Sequence, residues 1–153
     1  MSRPKILVME DNPADVGLLR MAFERQGEEY DLEVLQDGEE ALSFIHEYRT
    51  GIRAPDPCVI LLDTSLPKHD GMEVLKALRR EPALTHIKMV VWSTFASPEQ
   101  VAEVEKFGAL RTTTGTAVRF SHAARERTAN QTVRRVLRTR QFQSSRLDGL
   151  WRR

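Results

Sequence analysis

The sequence lacks several features on which whole classes of protein depend. It has one cysteine, Cys58, which cannot form a disulfide within the chain and which we interpret as a small buried hydrophobic residue. No apolar stretch approaches the roughly 20 residues that cross a membrane, so we predict no membrane segment. Neither G-x-G-x-x-G nor G-x-x-x-x-G-K-[ST] occurs, so the main glycine signals for nucleotide binding are absent. Residues 1–4 lead into an apolar run too short for a signal peptide, and we therefore expect a cytoplasmic protein.

Lysine is absent beyond Lys106, and the charge is unevenly distributed. Residues 1–110 hold 12 Lys and Arg against 20 Asp and Glu, a net charge of −8, whereas residues 111–153 hold 11 Arg and 2 acids, a net charge of +9. This split indicates that the two parts face different constraints, or bind each other or an anionic partner. The Arg-rich part has no interleaved aromatic residues or known nucleic-acid motif, so we expect a solvated or self-docked basic segment and no nucleic-acid partner.

Short apolar runs alternate with amphipathic segments along residues 4–110. Because fully apolar strands that alternate with helices are buried on both faces, the pattern predicts one α/β domain built on a doubly wound parallel sheet. The predicted strands are Lys5–Met9, Leu32–Gln36, Cys58–Leu62 and Lys88–Trp92. The predicted helices are Ala14–Gln26, Glu39–Tyr48, Met72–Arg80 and Glu99–Phe107.

Residues 111–153 form an atypical C-terminal segment with weaker structural signals. Residues 111–118 carry β-branched side chains without an apolar run, so they predict only a degenerate fifth strand. Val133, Val136 and Leu137 recur at helical spacing and predict a helix within 123–140. We expect residues 141–153 to be a loose end.

Carboxylates directly follow two of the apolar runs: Glu10 and Asp11 come after the first predicted strand, and Asp63 follows the third. If these strands are neighbours, their carboxyl ends lie side by side at the edge where α/β sheets bind ligands. Three like charges in one site raise one another's pKa values or require a cation, and a hard ion such as Mg²⁺ prefers oxygen ligands. Plainer interpretations stay open: Glu10 and Asp11 as acids favoured by a helix dipole, and Asp63 as a turn residue.

Longer motifs around these carboxylates resemble the receiver domain of two-component response regulators over about residues 4–110. The resemblance rests on Ile6–Asn12, on Ile60–Gly71 and on Val90–Thr94. It implies a flavodoxin-like (CheY-like) fold in which Asp63 accepts a phosphoryl group from a histidine kinase. It also implies a Mg²⁺ ion held by Glu10, Asp11, Asp63 and the backbone carbonyl of Ser65.

The same resemblance implies a switch and a set of partners. Ser93, at the end of the fourth predicted strand, would donate its hydroxyl to a phosphoryl oxygen, with Thr94 as a second candidate. The long loop Thr50–Pro57 and the run Glu10–Asp15 are similar to those of small stand-alone regulators that partner bacterial phytochrome kinases, often as dimers. The implied partners are therefore a sensor histidine kinase, with a phytochrome as a candidate, and a second copy of the chain. Receivers dephosphorylate themselves without turning over an external substrate, so we do not expect an enzyme.

The sequence departs from the receiver pattern at the fifth strand. Receivers carry a lysine there, usually followed by proline, but this chain has Thr112–Thr116. Arg111 or Arg119 would substitute only partly, because a guanidinium is bulkier and differently shaped. One hypothesis is a native, divergent segment that switches poorly; another is a shifted reading frame from about residue 111, which the coding DNA decides. The alternative function is a pseudo-receiver, a protein-interaction module with impaired or no phosphorylation switching.

Overall fold

The computed structural model describes residues 3–27, 29–52, 56–93, 97–113, 127 and 129–138. Five parallel strands lie in the order β2-β1-β3-β4-β5, and the predicted flavodoxin-like, doubly wound α/β fold is confirmed. The strands are β1 Lys5–Met9, β2 Asp31–Leu35, β3 Val59–Asp63, β4 Lys88–Ser93 and β5 Leu110–Thr113. The helices are α1 Pro13–Arg25, α2 Gly38–Arg49, α3 Gly71–Arg80, α4 Pro98–Lys106 and α5 over 129–138, and a 3-10 helix spans Pro82–Leu84.

The two central strands, β1 and β3, are buried on both faces of the sheet. Alternate residues of β1 pack against different layers: Leu7 and Met9 join the buried side chains of α2, α3 and α4, whereas Ile6 and Val8 join those of α1 and α5. This double cover explains why both strands are apolar along their length. None of the helices in the described part of the chain is long and apolar enough to cross a membrane.

The sheet order creates a crevice beside β1 and β3. From β1 the chain moves to β2 on one side and then crosses to β3 on the other side. Ligands of open α/β sheets bind at such a reversal, outside the carboxyl ends of the strands. The residues that end β1 and β3 are therefore the ones that this fold presents to a ligand.

Local hydrogen bonds set the boundaries of the elements. β2 begins and ends one residue earlier than predicted, because the Asp31 amide donates to Pro4 O at 3.0 Å while the Gln36 amide donates to Glu40 Oε2 at 2.6 Å. The N-cap of α4 is Ser97, whose hydroxyl accepts the Gln100 amide at 3.3 Å. Helices α1, α2 and α3 begin in the same way, on Asn12, Asp37 and Asp70.

Parts of the Arg-rich segment belong to the folded body. β5 pairs in parallel with β4, and the pairing extends to Thr113 opposite Ser93. α5 lies inside the predicted range 123–140, and its Ala129, Val133 and Val136 are buried against the sheet. The burial of these regularly spaced apolar residues favours the hypothesis that the segment is native. Residues 114–126 and 139–153, with the predicted loose end 141–153, lie outside the described residues.

Gly71, the first residue of α3, gives a prediction about stability. A Cβ atom at Gly71 would overlap the backbone of Asp63 and Thr64, whereas one at Gly17, on α1, would meet no atom within 4 Å. Gly71→Ala should therefore lower the free energy of unfolding by about 1–3 kcal/mol. Gly17→Ala should raise it by about 0.5–1 kcal/mol, since it removes a helix-interior glycine. Urea unfolding of both variants tests this, and an unchanged midpoint for Gly71→Ala contradicts it.

Candidate metal centre

Three carboxylates meet at the carboxyl edge of the sheet. Met9 pairs with Leu62, so the next residues, Glu10 and Asp63, follow neighbouring positions of β1 and β3. One carboxylate oxygen from each of Glu10, Asp11 and Asp63 lies within 4.8 Å of the others. Glu10 and Asp63 are only 5% and 8% exposed, whereas Asp11 is exposed. The structure therefore brings together the three acids that the sequence pattern predicts.

Backbone amides orient the two buried carboxylates. Glu10 Oε1 accepts the amide of Asn12 at 2.9 Å, and Asp63 Oδ1 accepts the amide of Ser65 at 3.0 Å. The chain after Asp63 is also tied to β4, because the Thr64 amide donates to Trp92 O at 3.2 Å. These bonds fix the carboxylates on backbone that the sheet already holds in place.

Burial and like charges raise the pKa of both buried acids. Loss of hydration is the main cause that raises the pKa of Glu10 to about 8, and the charge of Asp63 is the next cause. Burial likewise raises the pKa of Asp63 to about 6, and the charge of Asp11 adds to this, against the lowering effect of the Ser65 amide. Asp63 therefore ionises first, and Glu10 loses its proton beside an existing negative charge.

A fourth acid, Asp15, contributes to the electrostatics of the site. It lies in the first turn of α1, and the side-chain amide of Asn12 donates to its Oδ2 at 3.0 Å. Its negative charge raises the pKa of both Glu10 and Asp63. Asp15 is not among the site residues predicted from the sequence. The signal for it in the sequence is an acid three residues after the N-cap Asn12, on a helix that starts at this edge of the sheet.

The donor set fits a hard divalent cation. Three carboxylates supply only oxygen ligands, and their repulsion is relieved by a positive ion, as Mg²⁺, Mn²⁺ or Ca²⁺ would provide. Within the described residues, this is the one group of three or more potential ligands close enough to hold a metal. The Ser65 carbonyl stays a predicted ligand, in a residue whose amide already contacts Asp63.

One predicted switch residue, Ser93, lies next to this site in the sheet. Asp63 pairs with Trp92, so Ser93 follows at the same edge as the last residue of β4. Thr94 lies outside the described residues. β5 ends at Thr113, beside Ser93, and no lysine occurs in its described length. Arg111 pairs with Val91, two positions before that end, while Arg119 is also outside the described residues.

The raised pKa values predict how stability changes with pH in the metal-free protein. The unfolded chain releases these protons near 3.8 and 4.5, whereas the folded protein holds them up to about 6 for Asp63 and about 8 for Glu10. Between these unfolded and folded pKa values, the folded state binds more protons than the unfolded chain does. The free energy of unfolding should therefore fall as the pH rises from about 4 to about 8. The total fall should be on the order of a few kcal/mol.

Urea unfolding with a chelator, at about pH 5 and about pH 9, measures this fall. Glu10→Gln should remove much of it, and added Mg²⁺ should offset it in the wild type at the higher pH. Glu105→Gln, at an exposed position of α4, is the matched control and should keep the wild-type slope. Equal slopes for the wild type and Glu10→Gln would contradict the prediction.

Known proteins with similar sequences or structures share this arrangement of strands. The response regulator Rcp1 of Synechocystis sp. is 35% identical over 96 residues, which cover 63% of this chain and 65% of Rcp1, less than two thirds of its length. The crystal structure of the phosphorylated cyanobacterial phytochrome response regulator RcpA matches with a TM-score of 0.72 at 27% identity, over 86% of this chain and 91% of that one. The crystal structure of the Mn²⁺-bound form of Rcp1 matches with a TM-score of 0.72 at 27% identity, over 84% of this chain and 90% of that one.

The match to a family model agrees with the site and the fold. The model for the response regulator receiver domain covers residues 6–114, which include all three clustered carboxylates and, apart from Lys5 at the start of β1, every strand of the sheet. The chain therefore belongs to the family of response regulator receiver domains.

Proposed function

We propose that this chain is a phosphoaccepting response regulator in which Asp63 takes a phosphoryl group from a histidine kinase in a Mg²⁺-dependent reaction. The observation that carries the proposal is the cluster of Glu10, Asp11 and Asp63 at the carboxyl edge of the sheet. Membership of the receiver domain family supports the same role. The Mn²⁺-bound form of the similar protein Rcp1 supports a divalent cation.

The transfer requires Asp63 as a carboxylate and positive charge nearby. A carboxylate oxygen attacks phosphorus, the bond from phosphorus to the kinase histidine breaks, and the imidazole leaves with the electron pair. The amide of Ser65 lowers the pKa of Asp63 and so favours the ionised nucleophile. A Mg²⁺ ion held by Glu10, Asp11, Asp63 and the Ser65 carbonyl would supply the positive charge that offsets the anionic phosphoryl group.

The response to phosphorylation is assigned to the end of β4. Ser93 would donate its hydroxyl to a phosphoryl oxygen and draw the following loop toward the site, with Thr94 as the second candidate. The last position of β4, at the same sheet edge as Asp63, supports Ser93 in this role. The acyl phosphate on Asp63 would be open to water, so self-dephosphorylation would end the signal without turnover of an external substrate.

The partners follow from the proposed role. A sensor histidine kinase would supply the phosphoryl group, and a phytochrome kinase is our specific candidate because a similar structure is that of a phytochrome response regulator. Such a system would operate in the cytoplasm, and the regulator would work as a homodimer.

A second candidate function is a pseudo-receiver that signals through protein contacts alone. The specific observation in its favour is the absence of lysine from residue 107 onward, because receivers place a lysine opposite the phosphoacceptor. Without that ammonium, a protein can keep the fold and the metal site while switching weakly or not at all.

Labelling with a small phosphodonor distinguishes the acceptor role. With Mg²⁺, the wild type should take up about one acid-stable, base-labile phosphoryl group per chain, as expected for an acyl phosphate on a carboxylate nucleophile. Asp63→Asn should take up none, and a chelator should abolish the label. The control is Asp31→Asn, at an exposed position in β2, which should label like the wild type. Equal labelling of the wild type and Asp63→Asn would refute the proposal.

Partner binding distinguishes the pseudo-receiver. If phosphorylation drives the output, phosphodonor and Mg²⁺ should change the affinity of the wild type for its downstream partner by about 5-fold or more, a typical coupling between two states. Asp63→Ala should remove that change. Binding that is the same for the wild type and Asp63→Ala, with and without phosphodonor, would support the pseudo-receiver instead.

A further inference from the structure

A second cluster of charges lies on the loop that carries Asp63 toward α3. Lys68 places its Nζ 2.7 Å from Asp37 Oδ2 and 2.7 Å from Glu39 Oε2, at the N-terminus of α2. We propose that Lys68 is a positioning residue for the Asp63 site, which ties loop 64–70 to α2 and thereby holds Ser65 against Asp63. The inference rests on the proposed function, because it concerns the same loop.

The backbone at Lys68 is in an unfavourable conformation. Lys68 has a φ of 66°, and it is the one non-glycine residue with a positive φ in the part of the chain that the structure describes. A side chain with a Cβ is disfavoured in this left-handed region, so the conformation persists only where contacts compensate for it. The paired carboxylates provide that compensation at the residue that bears the strain.

The loop and the start of α2 are fitted closely to each other. Pro67 O accepts the amide of Gly38 at 3.0 Å and the amide of His69 at 2.9 Å. A Cβ atom at Gly38 would overlap the backbone of His69, so the close approach requires glycine at this position. The Lys68 ion pairs therefore act on a contact that backbone hydrogen bonds already define.

Asp37 links the two elements through a single carboxylate. Its Oδ1 accepts the amide of Glu40 at 2.8 Å and caps α2, while its Oδ2 receives the Lys68 ammonium. The ammonium lowers the pKa of Asp37, and the two carboxylates raise the pKa of Lys68, so Asp37 and Lys68 stay charged. The start of α2 and the tip of the loop are thus joined by charge as well as by backbone.

The other end of the same loop contacts the site. The Ser65 amide donates to Asp63 Oδ1 at 3.0 Å, and the Gly71 amide closes the base of the loop on Thr64 O at 3.1 Å. Without the Lys68 ion pairs, the tip keeps its backbone strain and loses the attraction that offsets it. The loop would then relax, and Ser65 would spend less time in the position that orients Asp63.

The test compares Lys68→Gln with the wild type by Mn²⁺ binding, measured by electron paramagnetic resonance, and by the rate of labelling from a small phosphodonor. Lys68 is 54% exposed, so the ion pairs are screened by water and the effect should be moderate. We expect Mn²⁺ affinity and labelling rate each to fall about three- to tenfold at low salt. At about 1 M NaCl the difference from the wild type should shrink, because salt screens the ion pairs.

Matched variants separate positioning from general stability. Lys76→Gln breaks an equally short ion pair, Lys76 Nζ to Glu103 Oε1 at 2.7 Å, between α3 and α4. It should leave both readouts unchanged. Asp37→Asn keeps an oxygen to cap α2 but removes the charge, so it should lower both readouts in the same direction as Lys68→Gln. Lys68→Arg keeps the charge and should restore most of the Mn²⁺ affinity.

The outcomes bear separately on the two proposals. A Lys68→Gln protein with the Mn²⁺ affinity and labelling rate of Lys76→Gln would overturn the positioning role. If Lys68→Gln loses Mn²⁺ affinity and the wild type takes up no label, the positioning role would be supported and phosphoryl acceptance would be refuted. If Lys68→Gln lowers the free energy of unfolding no more than Lys76→Gln does, any loss at the site is due to positioning.

Discussion

The repulsion among carboxylates at the carboxyl edge of the sheet is the constraint on which this site depends. Glu10 and Asp63 are nearly fully buried, and their raised pKa values show that the fold holds them there against their preference for water. The cost is on the order of a few kcal/mol. Each buried apolar side chain of β1 and β3 contributes roughly 1.5–3 kcal/mol, so the sheet forms in spite of the charges that end its central strands. The site is therefore held in place by the core beneath it.

The same constraint accounts for the groups around the acids. The amides of Asn12 and Ser65 donate to Glu10 and Asp63, and each donation lowers the pKa that burial raises. Asp15 acts in the opposite direction, because it adds negative charge at the start of α1. Amide donors alone do not cancel this excess of negative charge, since both pKa values remain above their ordinary range. A bound cation relieves what the amides leave, which is why a divalent metal is the ligand that best fits this edge.

The sequence predicts the parts of the site that local pattern controls. Two apolar runs that end in acids predict that Glu10, Asp11 and Asp63 lie at one edge of the sheet, because the carboxyl ends of parallel strands all reach the same edge. The contributions of Asp15 and Lys68 escape such reasoning. Lys68 lies 29 residues from Glu39, and its ion pairs arise only when α2 and the loop meet in the folded protein. A positive φ at a lysine likewise has no signature in composition or periodicity.

The position of the positive charges bears on how this receiver differs from its family. Lys68 is the cation on the Asp63 loop, but Asp37 and Glu39 outnumber its single charge, so that cluster as a whole is negative. It cannot replace the lysine that receivers carry at the end of the fifth strand, and the described length of β5 holds none. Under the proposed function, the positive charge that the described residues offer to a phosphoryl group would come mainly from a metal held by Glu10, Asp11 and Asp63. If the chain accepts a phosphoryl group as proposed, that acceptance should depend more steeply on the metal than in a receiver that retains the lysine.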